Sequence, residues 1–172
     1  MIRATSVRLM TALMLMGVMT VSTAMQAQAP AAPAAPMQAP APAVPQVMTY
    51  EMAVQIIDAA EAEARKNKWS VTIVVTDAAG MPVVLRRLTG ASPRSYDIAT
   101  RKAATVVATK LATSAYGEQL KAGTVTEVPN GINFAGGVPI MRGTEFIGAV
   151  GTSGVRAIED EQISKAGASA IK

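Results

Sequence analysis

The side chains that most often carry enzymatic chemistry are missing from this sequence. Its 172 residues include no His and no Cys. Without imidazole there is no usual general base near neutral pH and no serine–histidine–aspartate triad. Without thiolates and imidazoles, thiol nucleophiles and ordinary structural zinc sites are lost as well. The phosphate loop GxxxxGK[ST] and the dinucleotide fingerprint GxGxxG are also absent from the sequence. The sequence therefore argues against familiar hydrolase and nucleotide-binding functions.

Charged residues next to one another are the remaining candidates for binding. Arg101-Lys102 could hold a carboxylate or phosphate on a helix surface, although on spacing alone a solvated or ion-paired role is favoured. Glu159-Asp160-Glu161 could bind a hard cation. Three acids near the start of a helix more often offset the helix dipole, so we favour that interpretation.

Two tyrosines, Tyr96 and Tyr116, are potential oxygen ligands for iron. We favour a role as partly buried packing residues for both.

A glycine-rich stretch, residues 132–154 (INFAGGVPIMRGTEFIGAVGTSG), is otherwise mostly apolar. Glycine weakens a strand, so its presence among core-like residues marks a place where a backbone or a ligand approaches closely. We favour close packing of a helix or a neighbouring subunit over a bound ligand, and the two can coexist at a subunit boundary.

The N-terminus has the pattern of a secretory signal peptide, residues 1–24. Arg3 and Arg8 precede an apolar run, residues 9–21, and Ser22 and Ala24 provide small residues for cleavage. The apolar run is shorter than the ~20 residues that span a bilayer, which favours a signal peptide over a membrane anchor. We expect an exported protein, periplasmic or extracellular after cleavage.

A Pro/Ala-rich, uncharged segment, residues 25–47, follows the signal peptide. Such a composition cannot form a core, so it is a disordered linker or a spacer. The folded domain is then residues 48–172. This domain has no long basic run and few aromatic residues, so we expect no nucleic-acid binding.

The domain begins with a predicted helix, which Thr49 caps and which carries a stripe of Ala and Ile at helical spacing. Further along the chain, β-branched runs, turn residues and helical spacing predict two strands in a hairpin, two helices, two or three strands in a meander, and a final helix. These elements are predicted at 70–76, 81–88, 92–109, 113–120, 132–135, 138–141, 145–152 and 158–171. Strands joined by short turns pair antiparallel, so the fold class is α+β, with helices packed on an antiparallel sheet.

The order of motifs resembles the GlcG/HbpS family, also called the haem-degrading domain family. The resemblance is carried by VVTDAAGMPVVLRRLTGA, SYDIATRKAATVVATKLATS, NFAGGVPIMRGTEFIGAVGTSG and EDEQISKAGASAI, and it spans Thr49 to Ile171. It implies a sheet of about five antiparallel strands with helices on both faces, and assembly into a homo-oligomer. It also implies haem as the cofactor, with binding residues Thr113, Lys102, Arg101, Phe134, Gly136 and Gly137.

The family pattern suggests a role for each of these residues. Thr113 would lie near the haem iron, Arg101 and Lys102 would meet the propionates, and the remaining three would line the porphyrin. Ala135 replaces the usual Pro of the family, which should loosen that turn. Because His is missing, haem would be held by oxygen, Met or Lys ligands or by apolar contact, and we expect it to be weakly held and exchangeable.

The resemblance and the predicted signal peptide together indicate an exported haem-binding protein with a role in haem breakdown or in sensing haem and iron. We assign no conventional enzymatic activity and leave slow haem degradation open. One alternative is a non-catalytic periplasmic domain that either serves assembly or partners a membrane sensor. The other is a binding protein for a small 2-hydroxy acid such as glycolate, supported by Arg101, Lys102 and Arg142.

Overall fold

The computed structural model describes residues 48–171. The predicted signal peptide, residues 1–24, and the Pro/Ala-rich segment, residues 25–47, lie outside this range. The order of elements is α1 (Tyr50–Lys66), β1 (Thr72–Asp77), β2 (Pro82–Arg87), α2 (Arg94–Thr109), α3 (Thr113–Lys121), β3 (Gly137–Arg142), β4 (Glu145–Ser153) and α4 (Ala157–Ala168). Within 48–171, no helix has both the length and the apolar character needed to cross a bilayer.

The sheet has four strands in the order β2-β1-β4-β3, and each neighbouring pair is antiparallel. The α+β class is confirmed, but the expected count of about five strands is one too high. Residues 132–135, predicted as a strand, pair with no other strand. Their polar backbone is held from the side instead, because the N–H of Ile132 donates to the hydroxyl of Thr105 on α2 (2.8 Å).

Helices cover both faces of the sheet, as predicted. Ile73 and Val75 of β1 join the large core cluster with the buried stripe of α1 and with Ile163 of α4. On the opposite face, Ala149 of β4 packs against α2. The alternation of side chains along a strand therefore separates two cores, one under α1 and α4 and one under α2.

The first residues of α1 and α3 differ in whether a threonine side chain caps the helix. The side chain of Thr49 accepts the N–H of Met52 (3.2 Å), which is the predicted cap of α1. The first helical residue of α3 is Thr113, with Ala112 at the N-cap, so Thr113 does not cap the helix. Its hydroxyl instead contacts the backbone of Gly137 at the start of β3.

Candidate functional site

Five of the six predicted binding residues meet around the connection that leads into β3. The hydroxyl of Thr113 accepts the N–H of Gly137 (2.9 Å). The ammonium of Lys102 lies 5.1 Å from the ring centroid of Phe134, within range of a cation–π contact. A Cβ on Gly136 would lie only 2.2 Å from the Lys102 ammonium. The structure therefore brings α2, α3 and the 134–137 segment together.

Lys102 is fully buried and forms an ion pair. Its Nζ donates to Oδ2 of Asp160 on α4 (2.8 Å) and to the carbonyl oxygen of Thr152 on β4 (2.8 Å). The other oxygen of Asp160 accepts the N–H of Val155 (3.2 Å). In the single chain the Lys102 ammonium is thus paired and away from the surface, so it does not present its charge to a ligand.

The burial of this pair shifts both titrations. Loss of hydration lowers the pKa of Lys102 and raises the pKa of Asp160. The opposite charge of the partner acts against each shift. Both groups can remain charged because each contacts the other and one backbone group. These contacts replace the hydrogen bonds that water would make.

Buried hydroxyl groups complete the support of this segment. Ser164 on α4 donates to the carbonyl oxygen of Gly136 (2.8 Å) and shares a hydrogen bond with the hydroxyl of Thr152 (2.8 Å). Thr105 donates to the carbonyl oxygen of Arg101 (2.8 Å) while it accepts from Ile132. These polar contacts fix the path of residues 132–137 from two helices and one strand.

Asp160 and Ser164 also belong to this site, and no sequence pattern assigned them to it. One signal was available for Lys102, which lies next to Ala103 and between Ala99 and Val106 on the buried stripe of α2. A lysine on an apolar stripe needs a buried partner. Its partner could not be chosen from the sequence, because several acids lie elsewhere in the domain.

The glycines of the 132–154 run serve close packing within the chain. A Cβ on Gly151 would lie 2.1 Å from the carbonyl oxygen of Ala99, and one on Gly137 would lie 2.7 Å from the methyl of Thr113. Real Cβ atoms do not approach other atoms so closely. At these two positions the space is filled by α2 and α3, which agrees with the favoured interpretation of the run.

Only part of the predicted binding set is exposed. Phe134 is 44% exposed. The side chain of Arg101 is 40% exposed, and its guanidinium donates to the carbonyl oxygen of Asn130 (2.9 Å) and lies 3.7 Å from Asp97. Thr113 is fully buried. Of the six predicted binding residues, Phe134 and Arg101 are therefore the two whose side chains a ligand can reach in the single chain.

The acidic cluster on α4 has separate partners for each carboxylate. Glu159 forms a capping box with Arg156, and Glu161 pairs with Lys165 (2.6 Å). Asp160 points inward to Lys102. No group of three potential metal ligands occurs in residues 48–171. The cluster thus serves the start of the helix and its packing.

The two tyrosines considered as iron ligands differ in how much of each side chain is buried. Tyr116 is almost fully buried, and its hydroxyl accepts the N–H of Val128 (2.8 Å), which is a packing role. Tyr96 lies on the first turn of α2 with about half of its surface exposed.

Comparisons with known proteins agree with this architecture. A family model described as "Haem degrading protein HbpS-like" matches residues 48–169. Protein GlcG of Escherichia coli K12 is 36% identical over 109 residues, which cover 62% of this chain and 81% of GlcG.

Two solved structures show the same fold. A double mutant of HbpS from Streptomyces reticuli superimposes with a TM-score of 0.68 at 33% identity, covering 83% of this chain and 98% of that one. The PduOC:heme complex superimposes with a TM-score of 0.67 at 27% identity, covering 73% of this chain and 95% of that one. The family match, the sequence relative and the shared fold lead to one conclusion: this chain belongs to the HbpS-like family of haem-degrading proteins.

Proposed function

We propose that this chain binds haem at the surface formed by Phe134 and Arg101 beside the Gly136-Gly137 connection. One observation carries the proposal: an exposed aromatic ring is held over a buried ion pair, at the point where the predicted binding residues converge. The family match and a neighbour solved as a haem complex support the choice of ligand.

The residues present fit some parts of haem better than others. Phe134 offers an apolar face to a porphyrin, and Arg101 offers a guanidinium to a carboxylate. Thr113 is buried and bonded to Gly137, so its hydroxyl does not face outward. Around this surface, the described residues expose no imidazole or thiolate that would ligate iron strongly. Haem would supply a redox-active iron, while this chain supplies contact and charge, so the binding is weak and exchangeable.

Lys102 acts by positioning in this proposal. Its ammonium joins α2 to α4 through Asp160 and lies over the ring of Phe134. In the single chain this internal pair occupies the ammonium, and the contact with a propionate stays a prediction. The same fact weakens the 2-hydroxy-acid alternative, because Lys102 was one of its three supporting cations. The membrane-sensor alternative remains a prediction.

We also propose that the protein works as a homo-oligomer. Binding sites for small molecules usually cover most of the ligand surface. An open surface on one chain contacts one face of a porphyrin, and a second copy would cover the other face. Measuring the mass in solution with and without haemin tests this proposal, which requires a species larger than the monomer.

Export is a further part of the proposed function, supported by residues 1–24 alone. Cell fractionation with an antibody to the folded domain would show a shortened protein outside the cytoplasm. A full-length protein retained in the cytoplasm would contradict it.

Haemin titration tests the binding surface. Wild-type protein should give a saturable Soret shift, and Phe134→Ala and Arg101→Gln should each weaken binding about tenfold, the equivalent of one good contact. Arg94→Gln, which removes an exposed cation from the same helix, serves as the matched control and should bind like wild type. Absence of saturable binding, or equal affinity in all variants, would overturn the proposal.

A further inference from the structure

We propose that a second site, at the C-terminal end of α1, binds a small planar carboxylate. An open cleft of about 240 Å³ lies there, between the end of α1 and the end of the β1–β2 hairpin. Its walls are Arg65, Lys68, Trp69, Ser70, Leu88 and Thr89. None of these residues belongs to the surface around Phe134, so the two proposals are independent.

Backbone hydrogen bonds fix the shape of this cleft. Lys68 adopts a left-handed conformation (φ 60°) just after the helix, and the N–H of Trp69 returns to the carbonyl oxygen of Ala64 (2.9 Å). This pattern closes a helix with a Schellman-type turn. On the other wall, the N–H of Leu88 donates to the carbonyl oxygen of Val71 (2.9 Å). The cleft is therefore formed before any ligand arrives.

The charge of the cleft is positive. Its walls carry two cations, Arg65 and Lys68, and no carboxylate. The acid that pairs with Arg65 is Glu61, which also binds Arg86. Within residues 48–171, no carboxylate lies within ion-pair distance of Lys68. An anion would therefore meet at least one ammonium that is not already neutralised.

The helix dipole accounts for part of this pattern. Cations in the last turn of a helix are stabilising in any protein, so Arg65 and Lys68 alone would indicate nothing about a ligand. The dipole does not account for the aromatic wall of the cleft or for its hydroxyl groups. The side chains of Trp69, Ser70 and Thr89 have no hydrogen-bond partner among the described residues.

These groups together define the class of ligand. An indole N–H and an ammonium only donate hydrogen bonds, and hydroxyls can donate as well. The half-buried ring of Trp69 and the side chain of Leu88 supply apolar contact. The cleft is smaller than the ~300–1,000 Å³ of pockets for drug-sized ligands. A single-ring carboxylate, with benzoate as the probe, matches this size and this set of donors.

Fluorescence provides a direct test, because Trp69 is the one tryptophan of the chain. In haem-free protein, benzoate should change the emission saturably. Benzamide, which lacks the charge, and acetate, which lacks the ring, should each bind at least about tenfold more weakly. A calorimetric titration with benzoate would check that the fluorescence change reports binding.

Matched variants locate the binding. Lys68→Gln should weaken benzoate binding about tenfold. Lys66→Gln removes a neighbouring cation that pairs with Glu63 and does not line the cleft, and it should leave the affinity unchanged. The proposal is overturned if wild type shows no saturable response at benzoate concentrations up to roughly 10 mM. At that concentration a site with a millimolar dissociation constant would be mostly occupied. It is also overturned if both lysine variants behave alike.

Discussion

Lys102 and Asp160 form an ion pair from which water is almost completely excluded. A buried pair can cost as much in lost hydration as its attraction returns, so it is weak evidence for net stability. Its consequence here is geometric. The pair, together with the bond from Lys102 to Thr152, holds α2, β4 and α4 in one arrangement and places an ammonium beside Phe134.

Removing one partner of this pair should be costly. Asp160→Ala leaves an uncompensated buried ammonium, and we expect a loss of about 3–5 kcal/mol in the free energy of unfolding, measured with urea. The double variant Lys102→Met/Asp160→Ala removes both charges and should recover a large part of that loss. Equal stability of the single and double variants would show that the unpaired charge is not the cause.

Glu61 provides a pH-dependent contact at the surface of α1. Its carboxylate accepts from Arg86 (2.6 Å), and this hydrogen bond is the main cause that lowers the pKa of Glu61. A folded-state pKa below the ordinary value of 4.5 means that the stabilisation is present above about pH 4.5 and is lost as the pH falls through the lower value.

Wild type and Glu61→Gln should therefore differ most near neutral pH, by on the order of 1 kcal/mol in unfolding free energy. The difference should shrink as the pH falls below 4.5 and the carboxylate becomes protonated in the folded state. Glu118→Gln, which removes an exposed carboxylate on α3, is the matched control for the loss of one acidic group. A gap that does not change with pH would contradict the assignment to the Arg86 contact.

At the scale of elements, helix α2 lies directly on the backbone of β4, one of the two central strands of the sheet. Gly151 faces Ala99 and Ala103 of the helix, with no room for a side chain between them. The same geometry recurs at Gly137 against Thr113 and Val106. The position of α2, and hence of Arg101 and Lys102, is set by how closely the helix approaches these glycines.

Gly151→Ala should destabilise the fold by about 3 kcal/mol, the upper part of the range for overpacking, because the collision is with a backbone atom. Thermal unfolding would show a clear fall in Tm. Gly143→Asn is the control: this turn residue has φ 59°, which Asn tolerates, and open space around it. A Gly151→Ala protein as stable as the control would mean that α2 can move away at little cost.

For the whole molecule, the two cores lie within residues 48–171, and the chain contains no Cys for a disulfide. A domain of this size buries enough surface to fold without cross-links. Met48, the first residue that the structure describes, is already buried in the core, where its side chain lies against Gly148.

Residues 48–172 expressed alone should unfold with the same free energy as residues 25–172. A shorter protein, residues 68–172, lacks α1 and with it the buried stripe that includes Ile56 and Ile57, and it should not fold. Circular dichroism with urea titration compares all three. Loss of stability in the 48–172 protein would show that the Pro/Ala-rich segment contributes to the fold.

Much of the architecture followed from local patterns. Helix α1, its cap at Thr49 and the β1–β2 hairpin depend on neighbours within a few residues, so spacing and turn chemistry were sufficient to predict them. Five of the residues named through the resemblance to the family lie together near Gly136-Gly137, and their role in binding haem stays a prediction. Local patterns were not sufficient for residues 132–135. Their apolar character predicts a strand, but a strand needs a partner strand, and the N–H of Ile132 donates to Thr105 on α2 instead.

By itself, the sequence determined that this domain lacks imidazole and thiol groups and that it carries the motifs of its family. Only the tertiary structure decided what its charges do. Lys102 pairs with Asp160, which lies 58 residues further along the chain. In the single chain its ammonium is therefore bound within the protein and not exposed to a ligand. The physical reason is that the energy of a charge depends on burial and on its partner, and both are properties of the packed fold that local sequence does not contain.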